Sequence, residues 1–366
     1  MGMTGRERFL TAIANKKPDR LPVQVHSWMQ YYLNRYLGGM DQYQAYDAVG
    51  MSPVIYTGPN CIFDEKDLAN WEVKYDTWEE KGEKKYLRRI ITPDGELVER
   101  GGINEFTSWI TEYPIKGEKD FEIWSRYVPL PKLDWTPVIE ARKRIGDRGI
   151  VRGAGFSFGQ GSPWQDLSTI MMGTEESIFA AFDEPEWVHH MLSTLLEKKL
   201  SVLERGGHVE LDLVETGGGG GSSTVISPDM HREFCLPYDQ KQHKLLHELG
   251  TKTVYHLCGG LMPLLEMVAE NGTDGLETMT PPDMGGDCDL AEAARRVGDK
   301  LFFIGGFDQN KGFERGTPEN VREQVHRLFE AKPAGGYICS PSDHFFFGDP
   351  ELLRVFVETA RECVYS

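Results

Sequence analysis

The chain has 366 residues, of which 57 are Asp or Glu and 40 are Lys or Arg, so its formal net charge is −17. This acidic balance argues against a nucleic-acid or anionic-membrane partner, because both require a positive protein surface. No apolar run approaches the roughly 20 residues that span a bilayer, and the N-terminal residues contain no apolar signal region. We therefore expect a globular, cytoplasmic protein. Its six scattered cysteines, none in a C-x-x-C pair, predict no disulfide framework.

The first third of the chain contains two short candidate strands and one unusual segment. Residues 21–28 and 53–57 are apolar enough to form strands. Residues 71–115 alternate polar and apolar side chains around the turn sequence Thr92-Pro-Asp-Gly95. This alternation predicts an antiparallel β-meander, inserted at about residues 65–118. The insertion is equally consistent with a cover over an active-site mouth and with a peripheral addition.

From about residue 149 onward, short apolar runs alternate with helical stretches. The predicted strands are residues 149–158, 209–216, 251–259, 275–280, 301–307 and 337–341. The predicted helices are residues 174–206, 227–249, 261–271, 289–297, 317–331 and 350–364. Six strand–helix units in a row predict parallel strands joined by helical crossovers. With the two earlier strands there are enough units for a (β/α)8 barrel, and a doubly wound open sheet is the alternative that periodicity does not exclude.

In α/β barrels the functional residues lie at the carboxyl ends of the strands. The predicted strand ends in this chain are rich in polar and metal-binding side chains. These side chains are His26, Glu215, His256, Cys258, Asp308, Cys339, Asp343 and His344.

His256 and Cys258 form an H-x-C motif at the end of a predicted strand. Residues two apart on a strand face the same side, so an imidazole and a thiolate converge there, as zinc prefers. A single H-x-C motif is weak evidence, since a buried cysteine beside a hydrogen-bonded histidine is the more common arrangement. Cys339 is the natural third donor, with Asp343 or His344 as substitutes. An open fourth position would make such a zinc site catalytic.

Glu215 stands just before five consecutive glycines, residues 217–221. The glycines indicate either a backbone that a ligand approaches closely or simply a flexible connection. They do not form a phosphate-binding loop, because no lysine follows them at the required spacing. Among the tryptophans, Trp28 and Trp164 are candidates for stacking on a flat substrate, although tryptophans are core residues by default.

Several motifs together resemble those of the uroporphyrinogen decarboxylase-like (β/α)8 barrels, over nearly the whole chain. That superfamily includes zinc-dependent methyltransferases that work with corrinoid proteins, and the resemblance implies a single barrel domain spanning residues 1–366. The motifs are Arg6-x-x-Phe-Leu-Thr-Ala-Ile, Pro18-Asp-Arg-Leu-Pro-Val, Ser227-Pro with Phe234-x-x-Pro237, His256-x-Cys258-Gly, Ile304-Gly-Gly306 and Gly335-Gly-Tyr-Ile338.

The resemblance favours the methyltransferase branch of the superfamily. The decarboxylases carry an arginine cluster after the first strand that holds substrate carboxylates, and residues 26–35 contain only Arg35. The thiol-methylating members place zinc on H-x-C plus a later cysteine, which implies His256 and Cys258 as ligands. Counting from Ser340-Pro341 puts Asp343 at the place of the later cysteine, with Cys339 four residues earlier. The ether-cleaving members share an E-x14-E-x20-H pattern. In this chain Asp308 stands at the place of the first Glu and His344 at the place of the His, which implies that both are rim residues.

We therefore predict a zinc-dependent methyltransferase that moves a methyl group from a small donor to the cob(I)amide of a corrinoid protein. A methoxylated aromatic compound is the expected donor, and a partly apolar rim is expected where the corrinoid protein docks. The alternatives are transfer from a methylcorrinoid to a thiol or folate, a decarboxylase, and a non-catalytic binding protein. The sequence leaves the oligomeric state open. The predicted roles are catalysis for Glu215, Asp308 and His344, zinc binding for His256, Cys258 and Cys339, and substrate binding for His26, Trp28, Trp164 and Asp343.

Overall fold

The structure is a computed structural model that describes residues 2–159 and 161–366. Its strands fall into one large parallel sheet and two smaller antiparallel sheets. In chain order the strands are β1 (Val54–Tyr56), β2 (Asn60–Ile62), β3 (Glu72–Glu80), β4 (Glu83–Thr92), β5 (Gly95–Ile103), β6 (Ser108–Glu112), β7 (Lys132–Asp134), β8 (Ile150–Gly153), β9 (Leu213–Gly217), β10 (Lys252–His256), β11 (Gly275–Thr278), β12 (Phe302–Phe307) and β13 (Tyr337–Pro341).

The helices lie between the strands and surround the large sheet. None of them, in the part of the chain that the structure describes, is long and apolar enough to cross a membrane. They are α1 (Gly5–Ile13), α2 (Gln30–Tyr36), α3 (Gln42–Val49), α4 (Glu65–Leu68), α5 (Glu118–Tyr127), α6 (Thr136–Ile145), α7 (Pro163–Asp166), α8 (Thr174–Asp183), α9 (Pro185–Gly206), α10 (Pro228–Phe234), α11 (Leu236–Glu248), α12 (Leu265–Glu270), α13 (Leu290–Val297), α14 (Pro318–Ala331) and α15 (Pro350–Glu362).

The large sheet has the strand order β1-β8-β9-β10-β11-β12-β13, and every neighbouring pair is parallel. The segment before α2 takes the eighth position beside β13. Val23 forms a parallel bridge to Cys339, and the backbone N–H of Gln24 donates to the Cys339 carbonyl at 3.1 Å. This arrangement confirms the predicted (β/α)8 barrel.

The predicted β-meander is also confirmed, as an antiparallel sheet with the order β3-β4-β5-β6. Its β5–β6 loop reaches the side of the barrel at which the strands end. There the ring of Phe106 lies 4.6 Å from that of Tyr31 and 5.3 Å from that of Phe346. Tyr31 follows the first barrel segment and Phe346 follows β13. The meander therefore contacts the mouth of the barrel.

Two long predicted helices are each divided in two by a proline. Residues 174–206 form α8 and α9, which meet at Glu184 and Pro185, and residues 227–249 form α10 and α11, which meet at Cys235 just before Pro237. Proline lacks an N–H and clashes with the carbonyl four residues earlier, so it begins a helix more readily than it continues one.

Buried apolar side chains form two clusters, one between the barrel and its helices and one that joins the meander to α5 and to α7 through α11. Because helices cover the parallel sheet, its strands consist mostly of apolar residues. The charged residues Arg152 on β8, Glu215 on β9 and Glu277 on β11 are exceptions. They lie next to one another in the barrel and form the basis of the candidate site.

Candidate functional site

Four side chains converge at the carboxyl ends of the central barrel strands. His26, Glu215, His256 and Glu277 each offer one potential ligand atom, and these atoms all lie within 4.8 Å of one another. The strand register produces this convergence. Along the β10 backbone, His256 is the parallel partner of Glu277, and Val254 is the partner of Glu215. Because side chains two apart on a strand share a face, the two carboxylates meet the imidazole of His256 on one side of the sheet.

Arg152 links the two carboxylates of this cluster. Its Nη2 donates to Glu215 Oε2 at 2.6 Å and to Glu277 Oε1 at 2.8 Å, and its side chain has no exposed surface. A guanidinium is always charged and presents several donors in a fixed plane. It therefore allows two carboxylates to lie side by side in a buried position.

The charges of the cluster depend on these contacts. Burial alone would raise the pKa of Glu277, but the charge of Arg152 and the hydrogen bond from His256 hold it well below its usual value. Burial alone would lower the pKa of His256, but its hydrogen bonds to Cys258 and Glu277 keep it well above its usual value. Burial and the charge of Glu277 raise the pKa of Glu215, whereas burial lowers that of His26 well below the usual range.

The cluster opens into a cleft of about 460 Å³. Besides His26, Glu215 and His256, the cleft is lined by Tyr56, Cys258, Asp343 and His344. Ser27 Oγ lies 3.1 Å from His344 Nδ1, and the His344 ring lies 4.8 Å from the His26 ring. The structure thus brings together six of the predicted site residues, namely His26, Glu215, His256, Cys258, Asp343 and His344.

Four other predicted residues lie elsewhere. The thiol of Cys339 is buried beside Tyr337 and Cys363, and burial raises its pKa to about 12. The Cys339 thiol is therefore not a ligand beside His256 and Cys258, although its strand β13 lies in the barrel sheet as predicted. Asp308 accepts a hydrogen bond from the Lys311 backbone at 3.0 Å and lines a separate polar cavity beside α14.

The two tryptophans predicted to bind substrate pack into the interior. Trp164 has no exposed surface, and its indole N–H donates to the Gly220 carbonyl at 2.8 Å. Trp28 packs edge-on against Tyr46 at 5.4 Å. Trp28 is half-buried, and neither tryptophan contributes to the described lining of the cleft.

The glycine run of residues 217–221 packs closely against other parts of the protein. A Cβ on Gly219 would lie 2.6 Å from the sulfur of Cys258, and one on Gly218 would lie 2.2 Å from Gln165. Gly218 also has φ +142°, which other residues rarely adopt. The glycines are therefore required by close contacts that position Cys258 at the edge of the cleft.

The sequence reasoning missed Arg152 and Glu277, the two most completely buried charges of the cluster. Each is a single charged residue in a short strand that is otherwise apolar or glycine-rich. A charge in a strand covered on both faces is rarely tolerated unless it is paired. The sequence therefore shows that Arg152 and Glu277 need oppositely charged partners, but it does not show which residues these partners are.

A second cluster of buried polar side chains, Tyr255, Asp239 and Lys199, lies close to Gly217 of the glycine run. The Tyr255 hydroxyl donates to Asp239 at 2.6 Å, and both side chains are buried. Lys199 is buried close to Asp239. Burial raises the pKa of Asp239 to about 7.

Asp239 is expected to make the stability of the protein depend on pH. Its pKa is about 3.9 in an unfolded chain and about 7 in the folded state, so between these values only the folded protein holds the proton. Stability from this group therefore decreases as pH rises from 4 to 7, by about 1 kcal/mol per pH unit. Asp239→Asn, whose amide still accepts from Tyr255, is expected to remove that slope in urea unfolding at pH 5, 6 and 7. Asp229→Asn, at an exposed site on α10, is the control, and equal slopes for Asp239→Asn and the unchanged protein would contradict the assignment.

The cluster of His26, Glu215, His256 and Glu277 is a candidate metal site, and its chemistry fits one. Imidazole nitrogens, carboxylate oxygens and the thiol of Cys258 are ligands that zinc accepts. Arg152 and His256 both donate to Glu277 Oε1. Glu277 Oε2 is buried and has no hydrogen-bond partner among residues 2–159 and 161–366. A buried carboxylate oxygen without a partner is costly, and a cation at this position would satisfy it.

A comparison with protein families identifies the chain. The family model described as uroporphyrinogen decarboxylase (URO-D) matches residues 110–363. The chain belongs to the uroporphyrinogen decarboxylase family. The predicted superfamily is thus confirmed, and family membership indicates an enzyme.

Individual relatives of this uroporphyrinogen decarboxylase family member are distant. It is 27% identical to the uroporphyrinogen decarboxylase of Aeromonas salmonicida over 383 residues, covering 97% of this chain and 96% of that protein. It is 27% identical to that of Pseudoalteromonas translucida, covering 68% and 71%. Among solved structures, a methyltransferase from Methanosarcina mazei superposes with a TM-score of 0.67 at 14% identity, covering 98% and 99%. At that identity the similarity shows a shared fold.

Proposed function

We propose that this family member is a zinc-dependent methyltransferase that moves a methyl group from a small methylated donor to the cob(I)amide of a corrinoid protein. The observation that carries the proposal is the ligand cluster of His26, Glu215, His256 and Glu277, with the thiol of Cys258 beside His256. His256 and Cys258 are the proposed first ligands, and Glu277 is the proposed third. Glu277 replaces Cys339 in this role because the Cys339 thiol lies away from the cleft.

The composition of the cleft favours a methyl donor over a porphyrinogen. Within the described part of the chain, no lysine or arginine lines the cleft, and Arg152 is occupied by Glu215 and Glu277. A substrate with several carboxylates would therefore meet Glu215 and Asp343 without a lysine or arginine to bind it, and the imidazole of His256 already faces Glu277. A small neutral ether or alcohol meets no such repulsion.

The residues of the cleft suit the cleavage of a carbon–oxygen bond. When the methyl group leaves for cobalt(I), both electrons of that bond stay on the donor oxygen, which becomes negative. Bound zinc would act as a Lewis acid that stabilises this charge. His344 lines the cleft, and its Nδ1 lies 3.1 Å from Ser27 Oγ. With Ser27 as the donor in this contact, the neutral imidazole would carry its proton on Nε2 and could donate it to the oxygen. Arg152 keeps Glu215 and Glu277 oriented.

The rim of the barrel offers a surface for the corrinoid protein. Tyr31, Phe106 and Phe347 lie within 5.7 Å of one another, ring to ring, and Phe347 is 41% exposed. An apolar rim beside an open cleft is typical of a protein-binding surface. These aromatic residues support the proposed partner.

Metal analysis combined with a transfer assay tests the proposal. Protein purified without added zinc is expected to contain about one zinc per chain, and His256→Ala/Cys258→Ala is expected to lose it. The same double variant is expected to lose methyl transfer from 2-methoxyphenol to cob(I)alamin. His247→Ala, an exposed histidine on α11 that contacts Asp274, is the control and keeps both. A protein that binds no metal even when zinc is supplied would refute this mechanism.

Decarboxylation is the second candidate function, because the relatives described above are themselves uroporphyrinogen decarboxylases. Release of carbon dioxide from a carboxylated substrate by the metal-free protein would favour it. Methyl transfer that depends on zinc would exclude it as the main activity.

A further inference from the structure

A second cavity lies between the β-meander and the barrel, outside the cleft described above. It measures about 340 Å³, within the usual size range of small-molecule sites. Trp71 and Arg88 contribute to it from the meander side, Trp124 from α5, and Phe156 and Phe158 from the loop after β8. We call this cavity the aromatic pocket.

The walls of the aromatic pocket are preformed. The rings of Trp124 and Phe158 pack edge to face at 5.1 Å, and those of Phe156 and Phe158 at 5.4 Å. Most of the remaining lining is apolar, including Ile90 and Met171. Flat ring faces and edges held in this way favour a planar aromatic ligand over an aliphatic one.

The polar feature of the pocket is a hydrogen-bond donor. The terminal nitrogen of Arg88 bonds to Glu99, which also accepts from Tyr86. Arg88 lines the pocket. Because Glu99 balances its charge, the guanidinium favours an acceptor oxygen on the ligand and does not require a full negative charge.

The aromatic pocket adjoins the catalytic cleft. Phe156, Ser157 and Phe158 line the pocket, whereas Gly159 and Gly161 of the same loop line the cleft. Phe158 and Gly159 are consecutive residues, so the linings of the two cavities meet at this point of the loop. A Cβ there would lie 2.7 Å from Ile170, whose side chain faces the pocket.

We propose that the aromatic pocket binds the ring of an oxygen-substituted aromatic compound next to the catalytic cleft. That this compound is the methyl donor before it enters the cleft, or its demethylated product after it leaves, rests on the proposed function. The binding itself rests on the pocket alone.

Calorimetric titration with 2-methoxyphenol tests the pocket. Trp71→Ala removes one ring of the wall, and Cys61→Trp fills the cavity from an exposed lining position. Each is expected to weaken binding at least about fivefold, because Trp71→Ala loses a ring contact and Cys61→Trp occupies the space of the ligand. Trp78→Ala, at an exposed tryptophan of the same sheet, and Cys61→Ser are the matched controls and are expected to change the Kd less than twofold.

Two further titrations complete the test. Methoxycyclohexane has the ether oxygen without the flat ring, and it is expected to bind at least tenfold more weakly than 2-methoxyphenol. Equal binding of the two compounds, or an unchanged Kd in Trp71→Ala and Cys61→Trp, would overturn the proposal. His256→Ala/Cys258→Ala is expected to keep its affinity for 2-methoxyphenol. If the unchanged protein transfers no methyl group yet these binding results hold, the pocket stands and only the donor assignment fails.

Discussion

Replacing Arg152 with methionine is expected to lower the free energy of unfolding by about 3–5 kcal/mol, since breaking a buried ion pair leaves an uncompensated buried charge. Arg152 has no exposed surface, and Glu277 is 1% exposed, so water cannot take over the role of the guanidinium. Without it, Glu215 and Glu277 would lie together in the barrel with only His256 as a positive neighbour.

Urea unfolding of chelator-treated protein at pH 7 measures this effect. The chelator is needed because a divalent cation in the same cluster would replace part of the lost positive charge. Arg148→Met is the matched control. Arg148 pairs with Asp47 at 2.7 Å on the surface, and such pairs contribute about 1 kcal/mol or less.

A double variant separates lost charge from lost packing. Arg152→Met/Glu277→Met removes one carboxylate together with the guanidinium, so it is expected to be more stable than Arg152→Met alone. If Arg152→Met is no less stable than Arg148→Met, or if the double variant recovers nothing, the charge network does not hold the barrel centre together.

Replacing Glu277 with glutamine is expected to weaken zinc binding at the proposed site by at least about 10–100-fold, the range found when a hydrogen-bonding partner of a metal ligand is lost. The substitution preserves size but removes the negative charge at Oε2, the buried oxygen for which the described residues provide no partner. It also replaces the acceptor that Arg152 and His256 share. Methyl transfer is expected to decrease in parallel, and excess zinc is expected to restore part of it.

Competition with a chromophoric chelator measures the zinc affinity. Glu292→Gln is the control, because Glu292 pairs with Arg295 on the exposed face of α13 and is expected to leave the affinity unchanged. A zinc affinity that differs less than twofold between Glu277→Gln and the unchanged protein would remove Glu277 from the metal site. The ligand set would then consist of His256 and Cys258 with His26 or Glu215.

The chain's own patterns predicted a parallel α/β sheet and most of the residues at the candidate site, and the family resemblance favoured the barrel. Alternating strands and helices predicted parallel pairing, because a helical crossover returns the chain in the same direction. The spacing of His256 and Cys258 predicted that they share one face, because the side-chain period of a strand is two. In the structure β10 ends at His256, and Cys258 follows it at the edge of the cleft. The polar alternation around residues 92–95 predicted the meander, whereas its contact with the barrel mouth through Phe106 became visible only in the structure.

The sequence alone thus determined which segments are strands, which direction they run and which residues stand near their carboxyl ends. Only the tertiary structure decided which side chains meet. It joined Arg152 to Glu215 and Glu277 across separate strands, and it directed the thiol of Cys339 toward Tyr337 and Cys363. The physical reason is that periodicity acts along one strand, whereas the contacts of the site depend on the register between strands and on how the barrel closes.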